Sequence, residues 1–203
     1  MTAFNPKRTA LLTIDLTNDF LHPDGAYGRA GQGTAEIAAL PARIRPVVDA
    51  VRAAGGIFVS AQFTLVPGPD GQPLIAPHLK QLRPFLTKGD FAPGTFGHDL
   101  VDELKPWDYM IEKVNYSAFY QTRLEYILRY LDIDTLIVGG IVTNGGVAST
   151  IRDAHLRNLH TIILTDGCAA FRSDVHAATL LSLASVTDQI SCAEAVSMLK
   201  GAA

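Results

Sequence analysis

What this chain lacks narrows its function before any motif is read. It holds two cysteines, Cys168 and Cys192, too few for a disulfide framework or a zinc cluster, and they do not form a CxxC pair. Neither a redox nor a structural-metal role is indicated. Charged residues are only 18% of the chain, the net charge is −3, and the 17 Lys and Arg are scattered. That leaves no basic patch for nucleic acid. Long apolar runs are missing too: the first ends at Asp15 after six residues, whereas a bilayer span needs roughly 20. The beginning, MTAFNPKRTALLTIDL, does not have the layout of a signal peptide. We expect a cytoplasmic protein with a small-molecule substrate, no nucleic acid and no membrane.

What is present is an ordinary globular composition, 48% hydrophobic over 203 residues, enough for one domain spanning 1–203 with a full core. Short β-rich runs alternate with helical periodicity, the pattern of a parallel sheet covered by helices on both faces. TALLTID, GIFVSAQF, YMIEK, TLIVGG, HTIILTDG and DQIS read as six strands. Helices are expected over Thr34 to Gly55, HDLVDELK, Thr122 to Leu131, Gly145 to Asn158, DVHAATLLSLASV and CAEAVSMLK. Between the second and third strands, Thr64 to Gly97 carries six prolines and little periodicity. Loops of that length are usually lids or pocket walls.

Open parallel sheets bind ligands beyond the carboxyl ends of their strands, near the reversal of strand order. Polar groups placed there are Asp15 after the first strand, Lys113 after YMIEK, and the glycine-rich turn GGIVTNGGVAST after TLIV. A carboxylate leaving an apolar strand is partly desolvated, which raises its pKa, and a nearby Lys opposes the rise. Such a pair suits proton transfer, although a loop cap and an ordinary ion pair would use the same residues. Gly145 and Gly146 stand where a helix should begin, so their N–H groups would be free to hold an anion or an oxyanion; a plain strand-to-helix connection is the alternative. The spacing is not GxGxxG, which argues against a dinucleotide. Phe20, Gln62, Tyr116, Phe119 and Tyr120 are placed to line the cleft, with core packing as the alternative for the aromatics. Arg83 and Lys88 in the long loop are suited to holding a substrate carboxylate. His78 and His98 lack ligand spacing and read as surface residues, and His155, His160 and His176 as structural or solvent-facing. No metal and no cofactor is expected.

Together these segments resemble the isochorismatase-like hydrolases, a family that includes nicotinamidases, carbamoylsarcosine, ureide and biuret amidohydrolases, and isochorismatase. The resemblance runs through ALLTIDLTNDF, IEKVNYSAFYQTRL, GGIVTNGGVASTIRDA and TDGCAAF, in order and across essentially the whole chain. It implies a three-layer α/β/α, Rossmann-like fold around a six-stranded parallel sheet, homodimers or homotetramers, and a cis bond between Ile141 and Val142. In the amidase members an Asp, a Lys and a Cys act together: the Asp takes the thiol proton and the thiolate attacks a carbonyl held by backbone N–H groups.

Asp15 and Lys113 match that set. In the pattern T-N-x-C-V-x-S-T, the Cys position is Gly146. Three consequences stay open. The chain resembles members that work without the thiol, as isochorismatase does when its Asp acts as an acid on a vinyl ether. Alternatively it is an amidase relative inactivated at position 146, or a relative that binds a small molecule without turning it over. The resemblance favours hydrolysis by acid and base chemistry, with Ile141, Val142 and Gly145 shaping an oxyanion turn.

Overall fold

In the computed structural model, which describes residues 4–202, the first strand β1 (Thr9–Ile14) is buried along its whole length. That is the environment its unbroken apolar run requires. Around it stand β2 (Ile57–Phe63), β3 (Tyr109–Lys113), β4 (Thr135–Ile141), β5 (His160–Ala169) and β6 (Asp188–Ile190), all parallel, in the order β3-β2-β1-β4-β5-β6. The chain lays strands outward from β1 to β3, then returns to add β4 on β1's other side. The reversal therefore falls between β1 and β4, where a crevice opens at the carboxyl edge.

The short helices α1 (Asn18–Leu21) and α2 (Ala26–Arg29) follow β1, then α3 (Ala35–Ala38) and α4 (Leu40–Ala53). One helix was expected over this stretch; it breaks at Ala39 because Pro41 has no N–H to donate and occupies the first turn of a new helix. The 64–97 segment holds one short helix, α5 (Pro77–Leu82). HDLVDELK is not the expected helix. Val101 N–H bonds to the Leu16 carbonyl and Leu100 bridges Thr17, which keeps the segment extended until a single 3₁₀ turn at Asp102–Leu104.

Next come α6 (Leu124–Tyr130), α7 (Ala148–Leu156), α8 (Ser173–Leu183) and α9 (Cys192–Gly201). Alternating strand residues feed two cores. Leu11 and Ile137 pack with Ile44 and Val48 of α4 and Leu199 of α9. Leu12 and Val138 pack with Leu128 of α6, Ile151 of α7 and Leu183 of α8. A third, aromatic cluster of Tyr27, Leu86 and Phe91 with Phe20 and Phe63 sits over the carboxyl edge. None of the described helices is long and apolar enough to cross a membrane.

β4 can lie against β1 only because Gly140 has no side chain. Its φ is +117°, and a Cβ there would meet the Ile14 carbonyl oxygen at 2.2 Å. This close approach sets the end of β4, and with it the catalytic-looking turn, beside Asp15.

Candidate functional site

Asp15 follows β1 with a φ of 60°, a left-handed conformation that Asp tolerates better than most residues. Its carboxylate is satisfied from two directions: Oδ1 accepts from the Phe63 N–H at 2.8 Å and Oδ2 from Lys113 Nζ at 2.8 Å. Lys113 Nζ also donates to the Asn115 carbonyl at 3.1 Å. Asp15 is 6% exposed and Lys113 1%. Burial pushes the Asp15 carboxyl above its usual range, and the Lys113 charge and the two hydrogen bonds oppose that rise without cancelling it.

The turn after β4 does not begin a helix at Gly145. Thr143–Val147 forms a wide turn of π-helical geometry and α7 starts only at Ala148. The Ile141–Val142 peptide is cis. Gly145 N–H, expected to be free, donates to the Val142 carbonyl at 2.9 Å, so in this conformation it does not point a donor at a ligand. A Cβ at Gly146 would lie 3.4 Å from Asp15 Oδ2, 3.2 Å from the Ile141 carbonyl oxygen and 2.8 Å from Ile14 Cγ2. A side chain there would thus aim at the carboxylate once the Ile14 methyl gave way. Behind the turn, the Thr143 hydroxyl meets His176 Nδ1 at 2.8 Å.

Asp15, Lys113 and Gly146 open into one cavity, together with Phe20, Phe63, Tyr116, Val142 and Arg83. Its free volume is about 50 Å³, room for a few water-sized groups. Arg83, at the end of α5, donates through Nε to the Tyr27 hydroxyl at 3.0 Å. Tyr27 in turn stacks on Phe171, ring centroids 5.5 Å apart and planes at 5°. The walls are therefore aromatic, with one guanidinium facing the buried acid–ammonium pair.

The other sequence candidates are distributed as follows. Phe20 and Tyr116 line the cavity, and the Tyr116 ring lies so close to Gly145 that a Cβ there would be 3.3 Å from it. Gln62 does not reach the cavity: alternation turns it to the opposite face of β2, where it bonds to Ser60 Oγ at 3.3 Å. Phe119 is buried in the core beneath the Arg157 guanidinium, 4.8 Å from its ring. Tyr120 is half exposed and does not line the cavity. Ile141 packs in the α4 core, leaving Val142 as the turn's cavity residue. Lys88 lies outside, donating to the Asp70 carbonyl at 3.3 Å.

His98 is not a surface residue. It is 3% exposed and bonded to Thr64 Oγ1 at 2.8 Å, and burial lowers its pKa. Among the described residues no group of three His, Cys, Asp or Glu side chains is arranged to hold a metal ion. Seven cavity residues escaped the sequence reading, among them three aromatics, Phe63, Phe171 and Tyr27. Phe63 ends β2 facing opposite to Gln62, so strand alternation carried the signal. Phe171 closes TDGCAAF. Tyr27 sits on the four-residue α2, within a Gly- and Pro-rich stretch too short to carry a periodic signal.

A doubly wound parallel sheet with a buried carboxylate and ammonium at its switch point defines an α/β protein with a candidate site at the carboxyl edge. Residues 9–195 match the Isochorismatase domain, and the chain belongs to the isochorismatase family of hydrolases. Solved structures agree. It is similar to a cysteine hydrolase from Pseudomonas syringae pv. phaseolicola 1448A, at 27% identity and a TM-score of 0.85 over 100% of this chain and 97% of that one. Similarity extends to the N-carbamoylsarcosine amidase from Thermoplasma acidophilum, at 28% identity and a TM-score of 0.72, covering 91% and 96% of the two chains. The pyrazinamidase/nicotinamidase from Streptococcus mutans UA159 matches at 25% identity and a TM-score of 0.74, covering 90% and 99%.

Proposed function

We propose that this hydrolase cleaves a small, polar, carboxylate-bearing substrate by acid and base catalysis, without a covalent thioester. One observation carries the reading: the buried Asp15–Lys113 pair faces Gly146, a position with no nucleophile, inside a cavity that neither cysteine lines. Both thiols are poor substitutes, since burial pushes Cys192 up to about 12 and Cys168 higher still.

A vinyl ether fits these groups. Asp15, whose carboxyl burial pushes above its usual range, passes its proton to the terminal carbon of the C=C bond, and the ether oxygen's electron pair gives an oxocarbenium ion. Lys113 stabilises the carboxylate that remains. Water adds to the cation, its proton returns to Asp15, and the hemiketal collapses to an alcohol and a keto acid. Arg83 would hold a substrate carboxylate by charge-assisted hydrogen bonds, and the aromatic walls exclude bulk water, which strengthens both interactions.

A second reading, cleavage of an amide C–N bond by an amidase relative that has lost its nucleophile, is favoured by the 3.4 Å between a Cβ at Gly146 and Asp15 Oδ2. Assays of the unmodified chain, Asp15→Asn and Gly146→Cys on isochorismate, nicotinamide and a set of ureides separate the two. Turnover by the unmodified chain that disappears in Asp15→Asn supports the thiol-free route. Amidase activity gained only in Gly146→Cys supports the second reading, and no turnover by any of the three points to a binding protein.

A further inference from the structure

The two halves of this site leave the sheet on strands that do not touch. β3, which carries Lys113, and β4, which leads to Gly146, are separated by β2 and β1, so no sheet hydrogen bond sets their loops relative to each other. The Thr150 hydroxyl spans the gap. It accepts from the Ala118 N–H at 3.0 Å and donates to the Gly146 carbonyl at 2.7 Å, and the side chain is fully buried. Ala118 belongs to the segment that returns from Lys113, and the Asn115 carbonyl in that segment receives the second hydrogen bond of Lys113 Nζ. One hydroxyl therefore touches the Lys113 segment on one side and the Gly146 peptide on the other.

A Thr bonded to the carbonyl four residues back is common in helices. What is not local is the second bond, across 32 residues, to an amide that would otherwise be a buried donor without a partner. From this we infer that Thr150 is a positioning residue, whose hydroxyl sets the distance between the Asp15–Lys113 pair and the Gly146 turn. The inference rests on the proposed site being where chemistry occurs, but not on which substrate is cleaved.

The test needs no substrate. Gly146→Cys places a thiol beside Asp15, and the pH profile of its alkylation by iodoacetamide reports the charges around it, with the unmodified chain giving the background from Cys168 and Cys192. Adding Thr150→Val, which keeps the shape and removes the hydroxyl, is expected to move the profile by roughly 0.5 pH unit or more, because pair electrostatics change steeply over an ångström. Adding Thr150→Ser is expected to return it to the starting position. A folded Thr150→Val protein that is less stable but has an unshifted profile would overturn the inference, leaving Thr150 a packing residue.

Should either variant fail to fold, amide exchange at Ala118 in the unmodified chain decides. Protection comparable to that of β1 amides is expected, and exchange as fast as that of exposed loop amides would overturn the hydrogen bond on which the inference stands. Loss of turnover in the assays above with an intact Thr150 effect would count against the proposed reaction only.

Discussion

A side chain at position 146 would begin 3.4 Å from Asp15 Oδ2, so the carboxylate lies in contact reach of whatever side chain stands there. The tightest contact is the Ile14 methyl at 2.8 Å, followed by the Ile141 carbonyl oxygen at 3.2 Å. Gly146→Cys is therefore expected to fold with a loss of about 1–3 kcal/mol from this crowding, measured by denaturant unfolding. It should also alkylate faster than Cys168 or Cys192, whose thiols are held up by burial.

Among the described residues Lys113 is the only side chain bonded to Asp15, the other partner being the Phe63 amide. Lys113→Met would leave a buried carboxylate without its counter-charge, at a cost of about 3–5 kcal/mol where Asp15 is ionised. The Asp15 pKa should then rise further. Unfolding measured across the acidic range is expected to show the loss growing with pH, and a uniform loss at every pH would contradict the pairing.

Arg83 reaches the cavity from the long loop and touches the pair only through space. Arg83→Gln is expected to raise KM for carboxylate-bearing substrates by roughly 10- to 100-fold, the worth of a charge-assisted hydrogen bond, with kcat little changed. Steady-state kinetics on a carboxylate substrate and its neutral amide or ester analogue checks this, since the analogue should show no such increase.

Gly140 is a requirement of packing rather than of chemistry. Gly140→Ala would press a Cβ into the Ile14 carbonyl at a φ that side chains rarely adopt, and a loss of at least about 3 kcal/mol is expected. Thermal unfolding should show it, whether or not the cavity residues are intact.

The framework was legible because it is encoded by period. Six apolar runs gave six strands, and Asp15, Lys113 and the glycine turn stand at their ends, where strand geometry alone puts them. What was not legible depends on contacts between distant segments. Gln62 and Phe63 are adjacent in sequence, and only the face to which the strand turns them decides that Phe63 enters the cavity. Tyr27 and Arg83 are fixed by each other across 56 residues, and Gly145's amide is taken by a turn geometry that its sequence does not announce. His98 looked like a loop histidine until the packing of Thr64 buried it.

The account turns on Asp15 acting as a proton donor, and the pH dependence of turnover tests that most directly. Burial raises the Asp15 pKa in the folded chain, so the proton is more tightly bound than in the unfolded chain. The stability this contributes is fully present below the unfolded value near 3.8 and is lost as pH rises through the folded value. If the protonated form is the acid, kcat/KM for a vinyl-ether substrate should fall as pH rises through that same value, and Asp15→Asn should abolish the activity. A kcat/KM that rises with pH through this range, or turnover that survives Asp15→Asn, would contradict the account.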